Sequence, residues 1–222
     1  GPLPGSVVPT HIQHCFFVQE LEDSHHFNQA LLLEVRQKLS AEMVEQALSA
    51  ILSHHDALRL RFTRVGAGWQ QLNAGPEGTF SLQREDLSGL EASAQLAAIE
   101  KVAAKAQASL GLEHGPLMRA VLFDLGPERS GRLLWVIHHL AIDGVSWRVL
   151  IEDLETLCRQ LLHGEAVALP PKSTSYKAWA DRLLELARSE ALALELPYWL
   201  SEARGHVRPL PRDKDGGENT IG

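Results

Sequence analysis

Hydrophobic and polar positions alternate along this chain in a way that predicts its elements. The run Leu133-Leu134-Trp135-Val136-Ile137 is unbroken and closes on His138-His139. A short continuous apolar run of this kind reads as a strand buried on both faces. Asp143-Gly144 then turns the chain. From Trp147 the apolar positions Leu150, Ile151, Leu154, Leu157, Cys158 and Leu161 recur at spacings of three and four, which predicts a helix with a core-facing stripe, closed at Gly164. Leu117 to Asp124 reads as a second strand, and the polar stretch Gly126 to Gly131 makes residues 117–139 a hairpin.

The remaining pattern is consistent with an α/β chain. Residues 1–10 are rich in Pro and Gly and read as loop, and Ile12, Phe16, Phe17 and Leu21 predict one or two helical turns. Ala30 to Val35 is a strand. Ser40 is the expected N-cap of a helix over 41–55 whose apolar face is Val44, Ala47, Leu48, Ile51 and Leu52. Leu58 to Phe62 alternates, which predicts a half-buried strand with Arg59 and Arg61 on the face opposite Leu58, Leu60 and Phe62; Trp69 to Leu72 continues it after a glycine turn. The alanine-rich stretch 90–109 predicts a helix, as do residues 174–186 and an apolar piece through Trp199. Trp135 and Trp147 read as core.

Composition narrows the functional classes. The chain has 222 residues, 45% hydrophobic and 22% charged, with a formal net charge of -7. The acidic balance argues against nucleic-acid binding as the main task, and no apolar segment approaches the roughly 20 residues a membrane span needs. The first residues lack the basic and apolar regions of a signal peptide. Cys15 and Cys158 are far apart in apolar surroundings, so two buried, reduced thiols and a cytoplasmic setting are expected. The stretch from Gly205 onward has linker composition, and it predicts a further unit beyond it.

The chemistry concentrates at residues 138–144. Successive strand side chains face opposite ways, so one of His138 and His139 should face the packed interior and the other an opening. Imidazole is the side chain whose ordinary pKa suits proton transfer near neutral pH. Asp143 either caps the following helix or pairs with a cation, for which Arg59 and Arg61 are the strand-borne candidates, and Gly144 would let the chain turn tightly. The metal reading is poor, since the motif offers at most two well-placed ligands and no zinc spacing. There is no phosphate-binding glycine loop, no dinucleotide fingerprint and no Gly-x-Ser-x-Gly elbow. On these grounds alone the chain is an α/β domain with one histidine placed for chemistry, and a purely structural histidine remains the competing reading.

The segment His138-His139-Leu140-Ala141-Ile142-Asp143-Gly144 resembles the His-His-x-x-x-Asp-Gly motif of the condensation-domain superfamily of nonribosomal peptide synthetases. Its continuation Val145-Ser146-Trp147-Arg148 resembles the epimerization branch, and so do His26-Phe27-Asn28-Gln29 and Ser173-Thr174-Ser175-Tyr176-Lys177-Ala178-Trp179-Ala180. His54-His55-Asp56-Ala57-Leu58-Arg59-Leu60-Arg61-Phe62 is similar to the superfamily's Arg-His-Glu-x-Leu-Arg-x-x-Phe segment, with His54 in place of Arg. Thr10-His11-Ile12-Gln13-His14-Cys15-Phe16 matches the first motif, with His11 and Cys15 where the family usually has Pro and Trp.

The resemblance implies one lobe of a chloramphenicol-acetyltransferase-like fold, a mixed β-sheet with flanking helices, over residues 1–205. Residues 206–222 would link it to a missing C-terminal lobe. By matching position His139 is the active-site histidine, His138, Asp143 and Gly144 are structural members of the motif, and Arg59 is the expected partner of Asp143. Ser146 and Trp147 are candidates to line the tunnel between the lobes. No cofactor is implied as bound directly. The substrate is an aminoacyl or peptidyl thioester on the phosphopantetheine arm of an upstream peptidyl carrier protein, whose Cα proton is exchanged with help from a glutamate of the second lobe. Neither nucleic acid nor membrane is an expected partner, and the lobe alone is expected to be inactive. Amide formation by a condensation domain and a non-catalytic carrier-docking module are the alternatives.

Overall fold

The computed structural model describes residues 5–75, 80–172, 174–206 and 211. The expected linker therefore falls outside the described residues except for His206 and Pro211, as does Ser173. Two sheets organise the chain. The larger holds β2 (Asn28–Val35), β7 (Gly131–His138), β6 (Met118–Asp124) and β5 (Gln83–Asp86) in that order. β5 pairs with β6 in parallel and the other pairs are antiparallel, so the sheet is mixed. The smaller is antiparallel, in the order β1 (Gly5–Val7), β4 (Gly68–Asn73), β3 (Leu60–Val65).

The predicted hairpin is β6–β7, with Met118 opposite Ile137 and Phe123 opposite Arg132. Six successive residues of β7, Leu133 to His138, are buried, because helices cover both faces of its sheet. On one face Leu133, Trp135 and Ile137 pack with α2 (Ala41–His54) and α4 (Ser146–Leu162); on the other, Leu134 and Val136 pack with Ile99 and Ala106 of α3 (Ala92–Ala108). Ser40 caps α2 by accepting from the Met43 amide, as its position predicts. His55, just past the end of α2, bonds the Asp153 carboxylate of α4 at 2.6 Å and ties the two helices together. The small sheet buries Val7, Leu60 and Phe62 with Phe16 and Phe17 of α1 (His11–Val18) and Ala180 of α5 (Tyr176–Ala187).

The structure corrects several expectations. Gly5–Val7 is a strand, because its backbone pairs with β4, a long-range partner that Pro/Gly content does not reveal. β5 is likewise a strand completed only by its pairing with β6. The alternation at 58–62 begins as a 3-10 turn, Asp56–Arg59, and the strand starts at Leu60. Arg59 is therefore buried and not on an open strand face. The apolar piece through Trp199 is two short turns, Glu190–Ala193 and Leu196–Trp199, with Pro197 opening the second. Cys158 is buried, which pushes its thiol up to about 11, whereas Cys15 is only half-buried, on α1 beside His11; both thiols are free. Among the described residues no helix is long and apolar enough to cross a membrane.

Candidate active site

The last residue of β7 and the one after it point opposite ways, as strand geometry requires. His138 is fully buried. Its Nε2 lies 2.8 Å from the Ser24 carbonyl, and its Nδ1 receives the Leu140 amide at 3.1 Å. A carbonyl only accepts and an amide only donates, so the ring is neutral with its proton on Nε2. Burial lowers its pKa to about 4, against the smaller opposing effect of the Ser24 bond. His138 is thus a fixed post that holds the turn after β7 against the 3-10 turn Ser24–His26.

His139 is half-buried and lines a cavity of about 420 Å³ with Phe16, Phe27, Ile142, Asp143, Ser146 and Tyr176. Its ring stacks on Phe27 at 5.0 Å between centroids and 13° between planes. Its own amide donates to the Phe27 carbonyl at 2.8 Å, so the stacking ring and the backbone are pinned to the same residue. Nδ1 lies 2.8 Å from the Ile142 carbonyl and must donate to it, which leaves Nε2 as the basic nitrogen. That nitrogen is 3.2 Å from the Gln29 side-chain amide nitrogen of β2. The strand β7, the turn 139–142 and the edge strand β2 together hold one imidazole, anchored through Nδ1, at the wall of an open cavity.

Among the described residues Asp143 meets no arginine. Its Oδ1 accepts from both the amide and the hydroxyl of Ser146, each at 2.7 Å, and these bonds hold its carboxyl below the usual range. Of the two readings for this residue, the geometry selects the cap of the following helix. Arg59, the expected partner, instead donates to the carbonyls of Leu52 and Ser53 at the end of α2 and to that of Ala74. Arg59 ends a 3-10 turn that aims it under α2, and the last turn of α2 offers carbonyls with no intrahelical partner there.

Two further expectations change. Trp147 does not line this cavity. It is buried edge-on against Trp135 at 5.4 Å, and its indole N–H donates to Gln29 Oε1 at 2.8 Å. Ser146 does line it. Gly144 has no left-handed backbone, and a Cβ there would meet no atom within 4 Å, so nothing among the described residues demands glycine.

Of the departures from the first motif, His11 falls at an outward position and Cys15 on the wall of the cavity at His139. Thr10, Gln13 and Phe16 are buried, and the Thr10 amide donates to Gln13 Oε1 at 2.9 Å, while His11 is exposed and Cys15 half-buried.

A family model described as Condensation domain matches residues 5–220. The chain belongs to the condensation-domain family. It is 48% identical over 219 residues to a linear gramicidin synthase of Brevibacillus parabrevis, covering 99% of this chain and 3% of that protein. It is 45% identical over 224 residues to a chondramide synthase of Chondromyces crocatus, covering 99% of this chain and 6% of that protein. Among solved structures it is similar to the epimerization domain from the third module of tyrocidine synthetase B, at 36% identity and a TM-score of 0.83. That match covers 90% of this chain and 45% of the solved one. A starter condensation domain of the rhizomide synthetase shares the fold at 22% identity and a TM-score of 0.78, over 92% of this chain and 49% of that one. The condensation-family chain thus spans about half of each solved domain, with the mixed-sheet α/β architecture expected of a chloramphenicol-acetyltransferase-like lobe.

Three side chains that shape this condensation-family site are not marked by residue chemistry in the sequence: Phe27, Gln29 and Tyr176. Phe27 and Gln29 lie in the His26-Phe27-Asn28-Gln29 segment. The register of β2 against β7 sets Asn28 opposite His138 and so brings its neighbours to the histidine pair. Tyr176 is placed by Asp56, whose buried carboxylate accepts from Tyr176 N at 3.1 Å and from Lys172 Nζ at 3.0 Å.

Proposed function

We propose that this chain is the N-terminal lobe of a nonribosomal peptide synthetase epimerization domain. Its substrate would be an aminoacyl or peptidyl thioester on the phosphopantetheine arm of a carrier protein. The observation that carries this reading is the 36% identity to a solved epimerization domain over 90% of the chain. The placement of His139 supports it. A thioester acidifies the adjacent Cα–H, so a neutral imidazole nitrogen can take the proton while the electron pair passes to the thioester enolate. Return of a proton to the opposite face gives the other configuration. That face needs a second group, which on this reading comes from the second lobe. The exposed apolar side chains Trp179, Leu196, Trp199 and Leu200 near the end of the described chain are consistent with a surface covered by more protein.

The condensation reading, amide formation between two carrier-bound partners, is favoured by the family match itself. The complete protein separates the two. With a loaded carrier, chirality analysis of the released acyl group should show an L/D mixture, and His139→Ala should reduce exchange by about 10²–10⁴-fold, the usual share of a general base. Amide product with retained configuration would establish the condensation reading instead. Unchanged turnover in the variant would make the lobe a docking module.

A further inference from the structure

Gln29 occupies an unusual place in the wall around His139. Its amide oxygen receives the Trp147 indole N–H at 2.8 Å, and an indole nitrogen is a donor only. The amide orientation is therefore set from the core side, because a flipped amide would set two donors against each other. In the orientation that remains, the amide nitrogen faces His139 Nε2 at 3.2 Å. That nitrogen is the basic one, since Nδ1 is committed to the Ile142 carbonyl.

We propose that Gln29, held by Trp147, is a positioning residue that keeps His139 Nε2 unprotonated and aimed. The inference rests on the epimerization reading for its catalytic meaning but not for its structural content. The chain of donors runs in one direction: Trp147 Nε1–H to Gln29 Oε1, Gln29 Nε2–H to His139 Nε2, His139 Nδ1–H to the Ile142 carbonyl. A proton arriving at Nε2 has to displace the Gln29 N–H and then finds no acceptor there, because the indole opposes the flip that would supply one. The imidazolium formed by taking a Cα proton finds no acceptor in the Gln29 side chain as Trp147 holds it. This arrangement also gives Trp147, in the core and off the cavity wall, an effect on the site.

The test uses the complete protein that carries this chain, labelled with ¹⁵N-histidine, without substrate; the His139 signals are assigned by their loss in His139→Gln. The wild type should show Nδ1 protonated and Nε2 bare. Gln29→Glu keeps the shape but offers only acceptors, so it should move a proton onto Nε2. Cα hydrogen exchange in that variant should fall about 10²-fold in kcat with KM little changed. Trp147→Phe, which keeps the ring packing and removes only the donor, frees the amide to flip and should give a mixed ¹⁵N pattern; it also covers the case in which the carboxylate is not tolerated. If both variants keep the wild-type pattern, the inference is overturned whatever reaction is catalysed. If the pattern shifts as stated but the wild type exchanges no Cα hydrogen, the epimerization reading fails and the role of Gln29 in holding the ring stands.

Discussion

His138 and His139 donate from opposite ring nitrogens: His138 Nε2 to the Ser24 carbonyl and His139 Nδ1 to the Ile142 carbonyl, both at 2.8 Å. The difference follows from strand alternation. One ring is turned into the packed interior, where both nitrogens are used up by backbone groups. The other is turned to a cavity, where one nitrogen is anchored by a backbone carbonyl and the other meets only the Gln29 side-chain amide among the described residues. The pair is a post and a working group, not two equivalent bases.

The buried ring makes stability depend on pH. Unfolded, His138 takes a proton near its ordinary value of about 6.5; folded, it does so only at about 4. Between these values the unfolded chain binds more protons, so this contribution is intact above about pH 6.5 and is lost as pH falls toward 4. The loss is expected to be on the order of 3 kcal/mol. Urea unfolding of the wild type and of His138→Gln across that window checks it: the variant should start less stable at neutral pH and lack this part of the slope.

Arg59 should matter through α2 and not through Asp143. Arg59→Met strips the donor from the Leu52, Ser53 and Ala74 carbonyls and is expected to cost about 2 kcal/mol. Asp143→Asn keeps an acceptor for Ser146 and should cost less than about 1 kcal/mol. The double variant should be additive within about 0.5 kcal/mol. A coupling well above that in a double-mutant cycle would reinstate the pair.

Asp56 locks the start of α5 to the end of α2. Asp56→Ala leaves Lys172 without its carboxylate and the Tyr176 amide without an acceptor, with an expected loss of about 3 kcal/mol. Asp56→Asn retains an acceptor and should lose less. The denaturant midpoint at unchanged slope is the measurement.

Gly144→Ala should leave the stability of this chain within about 0.5 kcal/mol, since the position has open space and no left-handed backbone. Loss of activity in the complete protein with stability retained would locate the need for glycine in a close approach by something outside the described residues. A large loss of stability would contradict the open space around this position.

Local pattern in the sequence was enough for the β6–β7 hairpin, the capped start of α2, the stripe of α4 and the opposed faces of His138 and His139, because each depends on periodicity or a cap within a few residues. The motif residues also led to the family, since their order and spacing survive without knowledge of the fold. Only the tertiary structure decided what each polar group meets. Arg59 went under α2 because a turn replaced the start of a strand, and Gln29 reached His139 because β2 pairs with β7 in one register; Trp147, read from the sequence both as core and as a tunnel candidate, is core. Periodicity says which face of an element is buried. It does not say which donor finds which acceptor across 110 residues of chain, as the Gln29 amide finds His139 Nε2, because that depends on how β2 and β7 pair in space.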